Sequence, residues 1–163
     1  MKTLLLLRHA RARDVDTTDH ARPLTTDGVR SAERVGAMLR EASLVPDLVL
    51  TSSAVRARDT AQSVIEATGY GGNLHVLDEL YLSGPVAYLE ALRRWGGSAD
   101  RVLVVGHNPG IEDLLQHLTQ RRERMATATL AECALRLEAW SDIGPRTQGE
   151  LRRLYTPSTD IDT

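Results

Sequence analysis

Three uninterrupted apolar runs, Leu4-Leu5-Leu6-Leu7, Leu48-Val49-Leu50 and Val102-Leu103-Val104-Val105, recur along the chain, with a further strand-like segment around Leu74 to Leu77. A run with no polar interruption predicts a strand covered on both faces. Between the runs the period changes to that of a helix. Val29, Ala32, Val35, Leu39 and Ala42 fall on one face, as do Ala57, Ala61, Val64 and Ile65, and later Ile111, Leu114, Leu115 and Leu118. Pro46 ends the first helix, and Gly69-Tyr70-Gly71-Gly72 ends the second, whose cap is read as Ser52 or Ser53. After a loop at Asp78 to Gly84 a third helix runs from about Pro85 to Trp95, and the fourth opens with Asn108 as N-cap and Pro109 as first helical residue. Two last strands, around Ala131 to Leu137 and Glu150 to Tyr155, have no helix between them and are expected to pair antiparallel at one edge. The alternation predicts a three-layer α/β/α fold with a mostly parallel central sheet and an antiparallel edge.

With 163 residues, 42% of them hydrophobic and 26% charged, the chain is read as one globular domain over residues 1–156, followed by a frayed acidic tail over 157–163. A net charge of −2 argues against bulk electrostatic binding to nucleic acid or to an anionic membrane. A local cationic pocket is compatible with it, since all basic residues except Lys2 are arginines. Cys133 is the sole cysteine and lies in an apolar stretch, so it reads as a small core residue. Four leucines before Arg8 are too few for a signal segment or a membrane span, which makes the expected location cytoplasmic.

The first run stops at Arg8-His9-Ala10 and the fourth at Gly106-His107-Asn108-Pro109. Ligands of open α/β sheets lie outside the carboxyl ends of the strands, so the two histidines are expected to face each other across one pocket. Arginine suits phosphate because its planar, permanently charged guanidinium donates parallel hydrogen bonds to adjacent oxygens. Arg8 beside His9, and Arg56 in the first turn of the second helix, can both reach that pocket. The helix start at Asn108 adds N–H groups that favour an anion. For His9 to attack phosphorus it needs a free lone pair at neutral pH, and arginine neighbours disfavour the imidazolium. His107 would then donate to a phosphoryl oxygen. No Cys/His/Asp cluster accompanies the histidines, so the site is expected to need neither metal nor cofactor. His20, His75 and His117 are read as surface residues, and Arg11, Arg13, Arg58 and the Arg121 to Arg124 run as solvated charge.

The segments Leu6-Leu7-Arg8-His9-Ala10, Arg22-Pro23-Leu24-Thr25, Ser52 to Ala61 and Val105 to Gly110 resemble, in order, the histidine phosphatase superfamily, which includes the phosphoglycerate mutases. The short length and the Arg22 loop resemble its compact branch, the SixA-type phosphohistidine phosphatases. That resemblance implies a phosphoglycerate mutase-like fold. It implies His9 as the nucleophile, Arg8, Arg56 and His107 as the phosphate pocket, and Arg22 near its mouth. Ala10 and Ser53 depart from the glycine and proline that many relatives carry. In larger members a glutamate after the third strand protonates the leaving oxygen, which makes Glu79 the candidate acid here.

Phosphohistidine needs less acid assistance than an ester. An alkoxide leaving group is about as basic as hydroxide, whose parent water has a pKa of about 15.7, against about 6.5 for imidazolium. The expected reaction is therefore two-step removal of phosphate from a phosphohistidine on a protein, through a phosphorylated His9. Two other readings stay open: a phosphatase for a small phosphomonoester or nucleotide-related compound, and a non-catalytic phosphate-binding module. A mutase is disfavoured, because so compact a chain has little material to enclose its substrate.

Overall fold

The computed structural model describes residues 1–157, and six of those segments form one sheet. In chain order the elements are β1 (Lys2–Arg8), α1 (Thr26–Glu41), β2 (Leu48–Ser52), α2 (Val55–Thr68), β3 (Leu74–Leu77), α3 (Pro85–Trp95), β4 (Arg101–Gly106), α4 (Gly110–Thr119), β5 (Leu130–Leu135) and β6 (Gly149–Tyr155). Short 3-10 turns occupy Asp19–Ala21, Asp78–Leu80 and Trp140–Asp142. The strand order is β3-β2-β4-β1-β5-β6. β1, β2, β3 and β4 run parallel, while β5 is antiparallel to both β1 and β6, which is the predicted architecture.

Alternate residues of each central strand face opposite helix layers. Leu4, Leu6, Leu50, Val102 and Val104 pack on one side with Leu89, Leu92, Ile111, Leu114, Leu118 and Trp140. Leu5, Leu7, Val49, Leu103 and Val105 pack on the other with Ala32, Val35, Leu39, Ala57, Ala61 and Val64. Both faces of β1 are thus dry, which explains its unbroken leucines: a polar residue at any of those positions would lose its water without gaining a partner. Cys133 is buried in the first of these clusters.

The structure corrects several local expectations. Helix α2 takes Ala54 as its N-cap residue and has no side-chain cap; the Ser53 hydroxyl bonds His20, and the Ser52 hydroxyl bonds His107 and accepts from the Ala54 N–H. Helix α4 begins at Gly110 with Pro109 as its cap, so Asn108 is not the N-cap and Pro109 is not the first helical residue. By contrast, Thr25 caps α1 as a helix start should, its side chain accepting from the Gly28 N–H. His75 and His117 are half-buried, not surface residues; the His75 ring lies 5.0 Å from Trp95. At the end of the described chain Thr156 shares a hydrogen bond with Thr129 and Pro157 is buried; residues 158–163 of the expected tail lie outside the described residues. No helix among the described residues is long and apolar enough to cross a membrane.

Close approach of the loop after β3 to the start of α4 depends on Gly110. A Cβ there would stand 2.1 Å from the Ser83 carbonyl oxygen, well inside contact distance. Gly110→Ala should therefore destabilise the protein by about 1–3 kcal/mol, seen as a lower urea midpoint at unchanged slope. Gly71→Ala, where a Cβ meets nothing within 4 Å, should leave the midpoint nearly unmoved.

Candidate active site

Parallel pairing of β1 with β4 sets Arg8 opposite Gly106, so His9 and His107 are the next residues on adjacent strands. The His9 N–H donates to the Gly106 carbonyl at 3.0 Å, and the two imidazole rings stand 5.2 Å apart. His9 is 8% exposed and His107 2%. The His9 tautomer can be read from its partner. His9 Nδ1 lies 2.7 Å from the Ala10 carbonyl oxygen, which can only accept, so the proton is on Nδ1 and the lone pair on Nε2. Arg56 donates from Nε to that Nε2 at 3.4 Å. His107 Nε2 and the Ser52 hydroxyl are 2.8 Å apart, and His107 Nδ1 is buried with no partner among the described residues.

Both rings are held neutral. Burial is the main cause for His9, whose pKa falls to about 4 against the opposing pull of the Ala10 carbonyl; Arg56, Arg8 and Arg22 add to the fall. The arginines expected to suppress its imidazolium thus act second to desolvation. Burial likewise lowers His107 to about 3, helped by His9 and Arg56.

Around the rings, each guanidinium is steadied by a backbone carbonyl from another segment. Arg8 donates from Nη1 to Met125 O at 3.1 Å, Arg22 from Nε to Arg13 O at 2.9 Å, and Arg56 from Nη1 to Asp19 O at 2.8 Å. Arg56, at the start of α2, is 4% exposed. Thr60 links it to the histidine loop, donating from Oγ1 to the Arg56 carbonyl while accepting from the Ala10 N–H. A cleft of about 360 Å³ opens over this arrangement, lined by His9, His107, Asn108 and the arginines Arg8, Arg11, Arg22 and Arg56, with no carboxylate among its described lining residues. Its electrostatics suit a small anion.

Arg8, His9, Arg22, Arg56, His107 and Asn108, all named from the sequence, thus share one cleft; Glu79 is not part of it. The 3-10 turn that buries Leu80 in the core leaves Glu79 exposed and outside the lining. Asn108 differs in role from the sequence reading: its Nδ2 donates to Glu112 Oε2 and to Met125 O, so its amide braces the loop that carries Arg8's carbonyl partner. Arg11, read as solvated charge, is exposed yet lines the cleft. His20 is not a plain surface residue, since its Nε2 bonds Ser53 and its ring meets Tyr81 edge-on. Sequence reasoning missed Asp19, Ser52, Thr60 and Tyr81. Ser52, at the end of a buried strand, could have been singled out; nothing separates Asp19 from Asp14 and Asp16 in the same polar loop.

A family model for the histidine phosphatase superfamily (branch 1) matches residues 4–81. An uncharacterized protein of Mycobacterium tuberculosis is 36% identical over 104 residues, 63% of this chain and 63% of that protein, so the chain spans under two thirds of that relative's length. The phosphohistidine phosphatase SixA of Escherichia coli is 31% identical over 119 residues, covering 71% of this chain and 73% of SixA. Among solved structures, a candidate SixA phosphohistidine phosphatase from Nakamurella multipartitia superposes with a TM-score of 0.85 at 32% identity, covering 96% of each chain. With the paired strand-end histidines and their arginines, these likenesses show that the chain belongs to the histidine phosphatase superfamily.

Proposed function

We propose that the chain is a phosphatase that works through a phosphorylated His9 and that its preferred substrate is a phosphohistidine carried by a protein. The observation that carries this reading is the state of His9: its proton is tied to the Ala10 carbonyl, its Nε2 is unprotonated at neutral pH, and that atom meets only a long 3.4 Å bond from Arg56 Nε in an arginine-lined cleft. In the first step the Nε2 lone pair forms a bond to phosphorus as the bond to the leaving nitrogen breaks; the substrate ring, protonated from solvent on its other nitrogen, takes that electron pair and departs as neutral imidazole. In the second, water forms the new oxygen–phosphorus bond, the bond to Nε2 breaks, and the water proton passes to solvent. Arg8 and Arg56 hold the phosphoryl oxygens, with Arg22 at the mouth. His107 serves as a neutral donor when Ser52 donates to its Nε2, because the proton then sits on the partnerless Nδ1.

Substrate preference follows from what the cleft lacks. With no carboxylate in its described lining and Glu79 outside it, the site offers no evident acid for an alkoxide leaving group. An imidazole leaves readily without one. The E. coli relative's name as a phosphohistidine phosphatase supports the same class.

Rapid-quench intact-mass analysis tests the reading directly. Wild type mixed with a phosphohistidine-bearing protein should gain one phosphoryl group faster than with an aryl phosphate, and His9→Ala should gain none and lose turnover by at least about a thousandfold. Faster labelling by the aryl phosphate would mark a small-molecule phosphatase. Phosphate binding without labelling would mark a binding module. Arg56→Ala should weaken inorganic phosphate binding about 10–100-fold by calorimetry, the scale of a lost charge-assisted hydrogen bond. Because burial lowers both histidines, NMR titration should show His9 unchanged from pH 8 to 5 and protonating only as the pH falls through about 4. A His9 midpoint near the ordinary value of about 6.5 would refute the suppression of its imidazolium by burial.

A further inference from the structure

Asp19 sits on the 3-10 turn Asp19–Ala21, in the polar loop between β1 and α1, and with Tyr81 it joins two arginines of the reaction above to groups which that reaction does not use. Its carboxylate accepts from two arginines of different segments: Arg22 donates from Nη1 to Oδ1 and Arg56 from Nη2 to Oδ2, each at 3.1 Å. Tyr81, from the loop after β3, donates its hydroxyl proton to Oδ2 as well. Arg56 also reaches the Asp19 carbonyl, so its fork grips one residue at two points while its Nε faces His9. The Tyr81 ring is held in turn, edge-on to His20 at 4.8 Å and to His107 at 5.6 Å.

We infer that Asp19 is a positioning residue, a carboxylate that holds the Arg22 and Arg56 guanidinium groups side by side for the phosphoryl group and is itself locked by Tyr81. The inference rests on the reading of the cleft as a phosphoryl site. Two guanidinium groups brought to one cleft repel, and a long side chain gives up rotamer freedom when it is fixed. One carboxylate with an oxygen for each arginine relieves the first and settles the second before any ligand arrives, while Arg56 Nε faces His9. An isolated exposed ion pair contributes little. Here the Arg56 side chain is only 5% exposed, and its charge needs a fixed partner.

The same contacts argue against Asp19 as the missing acid. The Tyr81 hydroxyl, followed by Arg22 and Arg56, keeps its pKa low, at about 2. A carboxyl with no proton at neutral pH cannot deliver one to a leaving group.

Asp19→Asn separates the two roles. An amide can accept at one end only, so its NH₂ must confront one of the donors that the carboxylate satisfied. Wild type, Asp19→Asn, Asp19→Glu and Tyr81→Phe would be compared for inorganic phosphate affinity by calorimetry and for KM and kcat on aryl phosphates of graded leaving-group pKa, with circular dichroism to confirm folding. Asp19→Asn should raise the phosphate Kd and KM about tenfold, with kcat changed less and no dependence on the leaving group. Asp19→Glu, which keeps the charge, should recover part of the loss, and Tyr81→Phe should weaken phosphate by a smaller factor in the same direction. Phosphate affinity unchanged or tightened in Asp19→Asn would overturn the inference, as would a kcat loss that grows with leaving-group pKa, the mark of a proton donor. Wild type that forms the phosphoenzyme while Asp19→Asn matches it would sink the positioning role alone. Wild type that binds phosphate without reacting, and more weakly in Asp19→Asn, would sink the catalytic reading and leave the positioning role standing. Wild type that binds no phosphate would overturn both.

Discussion

Everything at the site depends on the register of one parallel strand pair. Arg8 lies opposite Gly106 across β1 and β4, and the chain leaves both strands at the next residue. Two histidines then emerge side by side from the most buried strands in the sheet, with their backbones tied by the bond from the His9 N–H to the Gly106 carbonyl. A slip of one residue would turn Leu4 to Leu7 over, exchanging the sets that face the two helix layers, and would carry His9 away from His107. The dry leucine core and the paired imidazoles are thus specified by the same register. Stability of the sheet and geometry of the site cannot be varied independently.

Charge is handled in a way that keeps the cleft cationic. Arg8, Arg22 and Arg56 each find a backbone carbonyl, from Met125, Arg13 and Asp19 respectively, which orients a guanidinium without cancelling its charge, and a single carboxylate, Asp19, is shared between two of the four arginines that line the cleft. Loops far apart in sequence therefore act as acceptors for the site, and braces such as the Asn108 amide and Glu112 hold the Met125 loop in turn. Burial acts on the imidazoles in the opposite sense to its effect on a carboxylic acid. The surroundings that keep His9 and His107 unprotonated are also those in which a phosphoryl anion meets little competition from water.

Where expectation and structure part, the cause is the direction of a side chain. Glu79 lies in the segment expected to supply an acid, yet the turn that seats Leu80 in the core sends its neighbour to solvent. Ser52 and Ser53 stand at a helix start and suit a cap, but each hydroxyl meets a histidine brought close by tertiary packing. Asn108 likewise gives its amide to Glu112 and Met125 in place of a capping role. In each case a local preference of about 1 kcal/mol competes with partners that exist only in the folded chain.

By itself, the sequence determined the layered α/β architecture and the two strand-end histidines with their arginines, because period and strand termini are local properties that a chain displays residue by residue. The contacts that join Asp19 to Tyr81, Arg22 and Arg56 were decided only in three dimensions. They link segments up to 62 positions apart, and no pattern in the polar loop distinguishes Asp19 from its acidic neighbours. Hydrogen-bond partners, tautomers and shifted pKa values arise from burial and distance, which no linear chain carries until the sheet has closed upon its helices.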